Sequence, residues 1–166
     1  MNFFQLVGRY FWLVCIVITL VNYRKALGQA PAVGVGPDGR GPDAGLRALY
    51  LRRAALFGVL PWIVMGAGIL AGGVRDVWAY FRPQDADPWV LAWFATLLAL
   101  ALANAAWVFL ADGARKVRQY DLFAMGRRPG GKPMPELLIK ALAALGPFWI
   151  LVWMFVVSTM NVPLPH

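Results

Sequence analysis

Four apolar stretches interrupt everything else in this chain, near Phe3 to Val21, Ala54 to Val74, Pro88 to Ala111 and Leu137 to Met160. A bilayer's hydrocarbon core is about 30 Å thick and needs about 20 helical residues per crossing. Each stretch is about that long. No water is present there to bond backbone N–H and C=O groups, so each stretch must satisfy its own as an α-helix. The expected fold is all-α: a four-helix transmembrane bundle. Four crossings and three loops use nearly all of the 166 residues, so 1–166 is read as a single integral membrane domain.

The composition agrees. Hydrophobic residues make up 60% of the chain and charged residues 14%, a balance normal where lipid is the solvent. The net charge of +8 would suggest nucleic acid as a partner for a soluble domain. Here it reads instead as basic loops facing membrane lipids with anionic headgroups, with no nucleic acid involved.

The basic residues set an orientation. The first loop carries Arg24, Lys25, Arg40, Arg47, Arg52 and Arg53, and the third carries Arg115, Lys116, Arg118, Arg127, Arg128 and Lys132. The second loop holds only Arg75 and Arg82, against Asp76, Asp85 and Asp87. By the positive-inside rule loops one and three are cytoplasmic, which places the bundle N-out/C-out. Arg24 and Lys25, directly after the first stretch, also argue that it is a retained helix rather than a cleaved secretory signal.

The loops differ in texture. Residues 28–45 read GQAPAVGVGPDGRGPDAG, a flexible Gly/Pro linker in which no regular element is expected. Asp43 is placed to cap a helix running through Leu46, Leu49 and Leu51, with Arg47, Arg52 and Arg53 reaching headgroups. In the third loop, Ala114 to Met125 suits a short helix lying on the cytoplasmic surface, with Arg115, Lys116 and Arg118 toward lipid or a partner. Gly126 to Lys132 is expected to turn, and Pro135-Glu136 to start the last helix. Lys140 is expected to pair with Glu136, and Asp112 with Arg115 or Lys116.

Aromatic residues gather where crossings meet the interface: Phe3, Phe4, Trp78, Tyr80, Phe81 and Trp89 on the outer side, Tyr23, Tyr50 and Phe123 on the inner. Trp12, Trp62, Trp93, Trp107, Trp149 and Trp153 lie deeper and are read as apolar packing. Gly66, Gly68 and Gly72 on the second stretch, and Ala95, Ala99 and Ala103 on the third, are small-residue faces that let helices approach closely.

Chemistry-bearing residues are few within the crossings. Arg9 lies in the first stretch or at its outer edge, where it either snorkels or pairs with Asp76, Asp85, Asp87 or a partner subunit. Cys15, the sole cysteine, reads as a buried small hydrophobe. His166, the sole histidine, is near the C-terminus, which excludes bis-His haem ligation inside the bundle. No catalytic, cofactor-binding or metal-ligating constellation is recognisable, and GVGPDGRG lacks the Lys-Ser/Thr of a phosphate-cradling loop. No Asp, Glu or His occupies the centre of a crossing, where an ion-coupled transporter usually needs one.

The segment PWIVMGAGILAGGV, followed by YFRP and DPWVLAWF, resembles uncharacterised small bacterial inner-membrane proteins with four predicted transmembrane helices. The resemblance implies a fold and a location, the bacterial inner (cytoplasmic) membrane as a multi-pass protein, and no activity. The expectation that follows is a non-enzymatic accessory, assembly or scaffolding subunit of a larger membrane protein complex. The alternative is a small transporter or channel component acting as an oligomer, with Thr19, Thr96, Asn104 and Ser158 turned to a shared lumen.

Overall fold

The structure, a computed structural model, describes residues 3–29, 43–85, 87–122 and 134–160, with side chains from Gln5 onward. Five α-helices account for most of them: α1, Phe3–Gly28; α2, Ala44–Leu70; α3, Pro88–Leu110; α4, Gly113–Gln119; and α5, Glu136–Thr159. Two 3-10 turns, Val77–Phe81 and Pro83–Asp85, fill the connection between α2 and α3. Among the described residues there is no strand. Helices α1, α2, α3 and α5 are long and apolar enough to cross a membrane, the make-up of a multi-pass membrane protein. Most of the Gly/Pro linker, the 126–132 turn, Phe123, Arg40, Arg127, Arg128, Lys132, His166 and the side chains of Phe3 and Phe4 lie outside the described residues.

Helix boundaries follow local chemistry rather than hydropathy. The first apolar stretch ends at Val21, yet α1 continues to Gly28, because Asn22 to Leu27 contains no Gly or Pro to stop it. Helix α2 starts well before its apolar stretch. Asp43 Oδ1 accepts hydrogen bonds from the Gly45 N–H at 2.7 Å and the Leu46 N–H at 3.1 Å, satisfying donors that a helix start leaves open. The basic segment before the second crossing is therefore the first turns of α2, and no separate interfacial helix forms there. At its other end α2 stops at Leu70, four residues short of the expected Val74. Gly72 takes the left-handed conformation (φ +74°), its N–H donates to Ile69 O, and the Gly73 N–H donates to Gly68 O. That double closure is a Schellman motif, and it needs glycine at the left-handed position. Asp87 caps α3 by accepting from the Trp89 and Val90 N–H groups, with Pro88 at the first helical position.

The long helices pack in series, α1 on α2, α2 on α3 and α3 on α5, with α4 bridging α3 and α5. Helix α2 is the most enclosed: 39% of its most apolar window is buried inside the protein, against 6% for α1. Its buried residues include Arg47, Leu51, Ala55 and Val59, one stripe at four-residue spacing.

Two cores form, one at each end of the array. At the basic-loop end, Ala26, Leu51, Val108, Ala114, Val117, Tyr120, Leu122, Ile139 and Ala143 draw all five helices together. At the opposite end, Met65, Ile69, Val74, Val77, Tyr80, Val90, Trp93 and Phe94 join α2, the 3-10 turn and α3. Helix α4 is shorter than the expected Ala114–Met125, and the direction of its apolar side differs too. Ala114, Val117 and the following Tyr120 and Leu122 turn into the first core instead of outward.

Candidate functional site

The basic-loop end is organised around a buried cation. Arg47 retains only 6% of its accessible surface; its Nη2 donates to Ala26 O at 2.8 Å and its Nε to Tyr120 O at 3.2 Å. Ala26 lies in the last turn of α1, where its carbonyl accepts only a long 3.4 Å backbone bond from the Gln29 N–H, and Tyr120 closes α4. One guanidinium thus ties α1, α2 and α4 together through the negative ends of two helices. This corrects the reading of Arg47 as a headgroup contact. Its four-residue register with Leu51, Ala55 and Val59 turns it inward, and a planar fork of donors satisfies two carbonyls from one position.

The neighbouring basic residues do face outward. Arg52, Arg53, Arg115 and Arg118 are exposed, whereas Lys116 is partly covered and donates from Nζ to Ala111 O at 2.8 Å, at the end of α3. Asp112 pairs with neither Arg115 nor Lys116 among the described residues; it holds the left-handed turn (φ 52°) between α3 and α4, a conformation Asp tolerates. Lys140 Nζ lies 3.0 Å from Glu136 Oε1, the expected i,i+4 pair.

Between α2 and α3, beside this end, lies an open groove of about 540 Å³. Tyr50, Arg53, Ala54 and Phe57 line it from α2, and Leu100, Ala101, Ala103, Asn104 and Trp107 from α3. Both sets recur at three- and four-residue spacing, so each is one helical face. Tyr50 stacks obliquely on Tyr120 and Trp107, with ring centroids 5.1 and 6.2 Å apart.

At the opposite end the second loop is held by aromatic rings against glycines. A Cβ at Gly66 would stand 2.6 Å from the Trp12 indole, so α1 approaches α2 there by seating a tryptophan on bare backbone. Gly68 receives the Tyr80 hydroxyl and Trp89, and Gly73 receives Trp89. The small face on α2 therefore packs rings of its own chain, and Gly72 contributes a turn instead of a packing surface. Tyr80 is buried, and its hydroxyl donates to Met65 O at 3.0 Å. Burial, with Asp87 adding a smaller effect, pushes its phenol up to about 12.

The second-loop aspartates have local work. Asp76 accepts from the Trp78 N–H at 3.0 Å, Asp87 caps α3, and Asp85 pairs with Arg82 at 3.2 Å. Arg9 shares a cleft of about 190 Å³ with Gln5, Arg75 and Asp76, but among the described residues it forms an ion pair with none of the three aspartates. Its carbonyl accepts from Trp12 Nε1 at 3.0 Å.

The polar residues of a hypothetical lumen are used within their own helices. Thr19 donates to Cys15 O, Thr96 to Ala92 O and Ser158 to Phe155 O, each at 2.7 to 2.8 Å. Asn104 is exposed and lines the α2–α3 groove. Ala95, Ala99 and Ala103 are exposed as well, so nothing among the described residues buries the stripe on α3, and Ala103 also lines the groove. Among the described residues, no cluster of three or more His, Cys, Asp or Glu is arranged to hold a metal ion.

Sequence reasoning missed the Arg47 staple and the ring-on-glycine contacts. The register of Arg47 with Leu51 and Ala55 was the available signal for the first. The partners of Gly66 and Gly68 come from other elements and leave no local pattern. Searches against family models, curated proteins and solved structures gave no match.

Proposed function

We propose that this chain is a non-enzymatic accessory or scaffolding subunit of a membrane protein complex, embedded with both termini on the outer face and the basic loops in the cytoplasm. The observation that carries this reading is the outward face of α3. Ala95, Ala99 and Ala103 repeat at four-residue spacing on a helix that already packs against α2 and α5, and all three remain exposed. Against lipid, small side chains gain little; against another helix they permit close backbone approach. The serial packing supports the same reading, because among the described residues no substantial α1–α5 packing closes the four helices into a ring, and flanks of the array stay open.

The oligomeric transporter draws less support. Three of the four residues it needs donate their hydroxyl hydrogens to carbonyls of their own helices.

Photo-crosslinking tests the proposal. With a photoreactive phenylalanine analogue at Ala99, illumination of intact membranes is expected to yield one discrete adduct with another membrane protein. The same probe at Leu138, exposed on α5, serves as the comparison. Adducts with lipid alone at both positions would overturn the reading.

A further inference from the structure

We propose that the groove between α2 and α3 is a binding site for an anionic phospholipid of the leaflet on the basic-loop side, with an acyl chain in the groove and the phosphate on Arg53.

Three features converge. The groove opens sideways along two helices long and apolar enough to cross a membrane, so an embedded protein would present it to acyl chains. At 1.5 Å per residue the lined faces, Tyr50 to Phe57 and Leu100 to Trp107, run about 10 Å, or about two-thirds of one leaflet's share of the hydrocarbon core. Its volume of about 540 Å³ is in the range of built ligand sites rather than of packing defects.

Apolar and polar lining residues separate along the groove. Phe57, Leu100 and Ala101 lie toward the middle of the helices. Asn104 stands one turn closer to the basic end, where its amide can donate to an ester carbonyl. Arg53, likewise one turn closer to the basic end than Phe57, lines the groove from α2, exposed and without a hydrogen bond or ion pair among the described residues. Among the described residues no acidic side chain lines the groove, and exposed Arg52, Arg115 and Arg118 add positive potential on the same end. The complementarity is with a negatively charged headgroup. A zwitterionic lipid would bring a second cation to an already basic rim.

The site does not depend on the subunit proposal, since a lone protein would bind the lipid equally well. The test uses the full-length chain reconstituted in bilayers of equimolar phosphatidylglycerol and phosphatidylethanolamine, followed by native mass spectrometry of the lipids retained after mild delipidation. The wild type is expected to keep phosphatidylglycerol over phosphatidylethanolamine by about fivefold, the effect of one well-placed basic residue. Arg53→Gln should bring that ratio to within about twofold. Ala103→Trp, which fills the groove and leaves the rim charges in place, should lower retention of the preferred lipid. Arg24→Gln, an exposed arginine of α1 outside the groove, should leave the ratio unchanged, and circular dichroism establishes that each variant is helical. Equal retention of the two lipids by the wild type would overturn the proposal. So would a preference that survives both Arg53→Gln and Ala103→Trp, which would place the lipid on the general basic surface.

Discussion

The two ends of the helix array solve one packing problem with opposite chemistry. At the basic-loop end a buried guanidinium bonds two carbonyls from different helices. At the other end rings lie on glycine backbone, and the one buried hydroxyl there, on Tyr80, bonds a carbonyl of α2. The charged end depends on donor geometry, the aromatic end on the absence of a Cβ. The difference teaches where each is vulnerable: the first to loss of a donor, the second to gain of a methyl group.

Arg47→Leu should therefore be the most damaging single change. It leaves the Tyr120 carbonyl without a partner among the described residues and the Ala26 carbonyl with only the long 3.4 Å bond from the Gln29 N–H, and it removes two charge-assisted bonds, a loss of about 3 kcal/mol. Arg47→Lys should recover only part, since an ammonium lacks the planar fork. Reversible unfolding in mixed micelles would measure both. Equal stability of Arg47→Leu and wild type would break the comparison.

Gly66→Ala ranks second. Its new methyl meets the Trp12 ring, and overpacking of this kind costs about 1–3 kcal/mol. Adding Trp12→Leu should restore much of that loss, whereas Trp12→Leu should do nothing for Arg47→Leu. Rescue of both in the same unfolding assay would mean that the two ends are not separate units, and rescue of neither would mean that the Trp12 ring is not what limits Gly66.

Tyr80→Phe should cost about 1 kcal/mol for the bond to Met65. It also sharpens the comparison through pH. Tyr80 titrates at about 12 in the folded protein against an ordinary value of about 10 in the unfolded chain. The unfolded state therefore loses this proton first. Its contribution to stability is intact below pH 10 and declines as pH rises from about 10 to about 12. The decline should be shallower in Tyr80→Phe; an unchanged slope would contradict the buried phenol. The smallest effect belongs to Lys140→Gln, which removes a half-exposed i,i+4 pair and should shift stability by no more than about 0.5 kcal/mol.

Much of this architecture was legible in the sequence because the bilayer criterion is one of length, and length survives without knowledge of contacts. The four helices, the Asp43 cap and the Lys140–Glu136 pair all follow from residues within a few positions of one another. Boundaries were less legible where two rules competed. Hydropathy carries the second stretch to Val74, but left-handed Gly72 ends the helix first. The roles of the small residues and of Arg47 depend on partners outside their own helical turns, such as Trp12 for Gly66 and Ala26 and Tyr120 for Arg47. Six positions separate Arg47 from Arg53 on one helix. Register turns the first inward and the second outward, a distinction that charge counting erases.

The two ends should lie on opposite faces of a membrane, and paired cysteine labelling tests that most directly. In a Cys15→Ser background, single cysteines at Arg118 and at Asp85 would be exposed to a membrane-impermeant maleimide in sealed vesicles of known orientation. Four crossings predict that the two positions label from opposite sides, and the proposed orientation puts Arg118 on the cytoplasmic face and Asp85 on the outer one. Labelling of both from the same side would contradict the account.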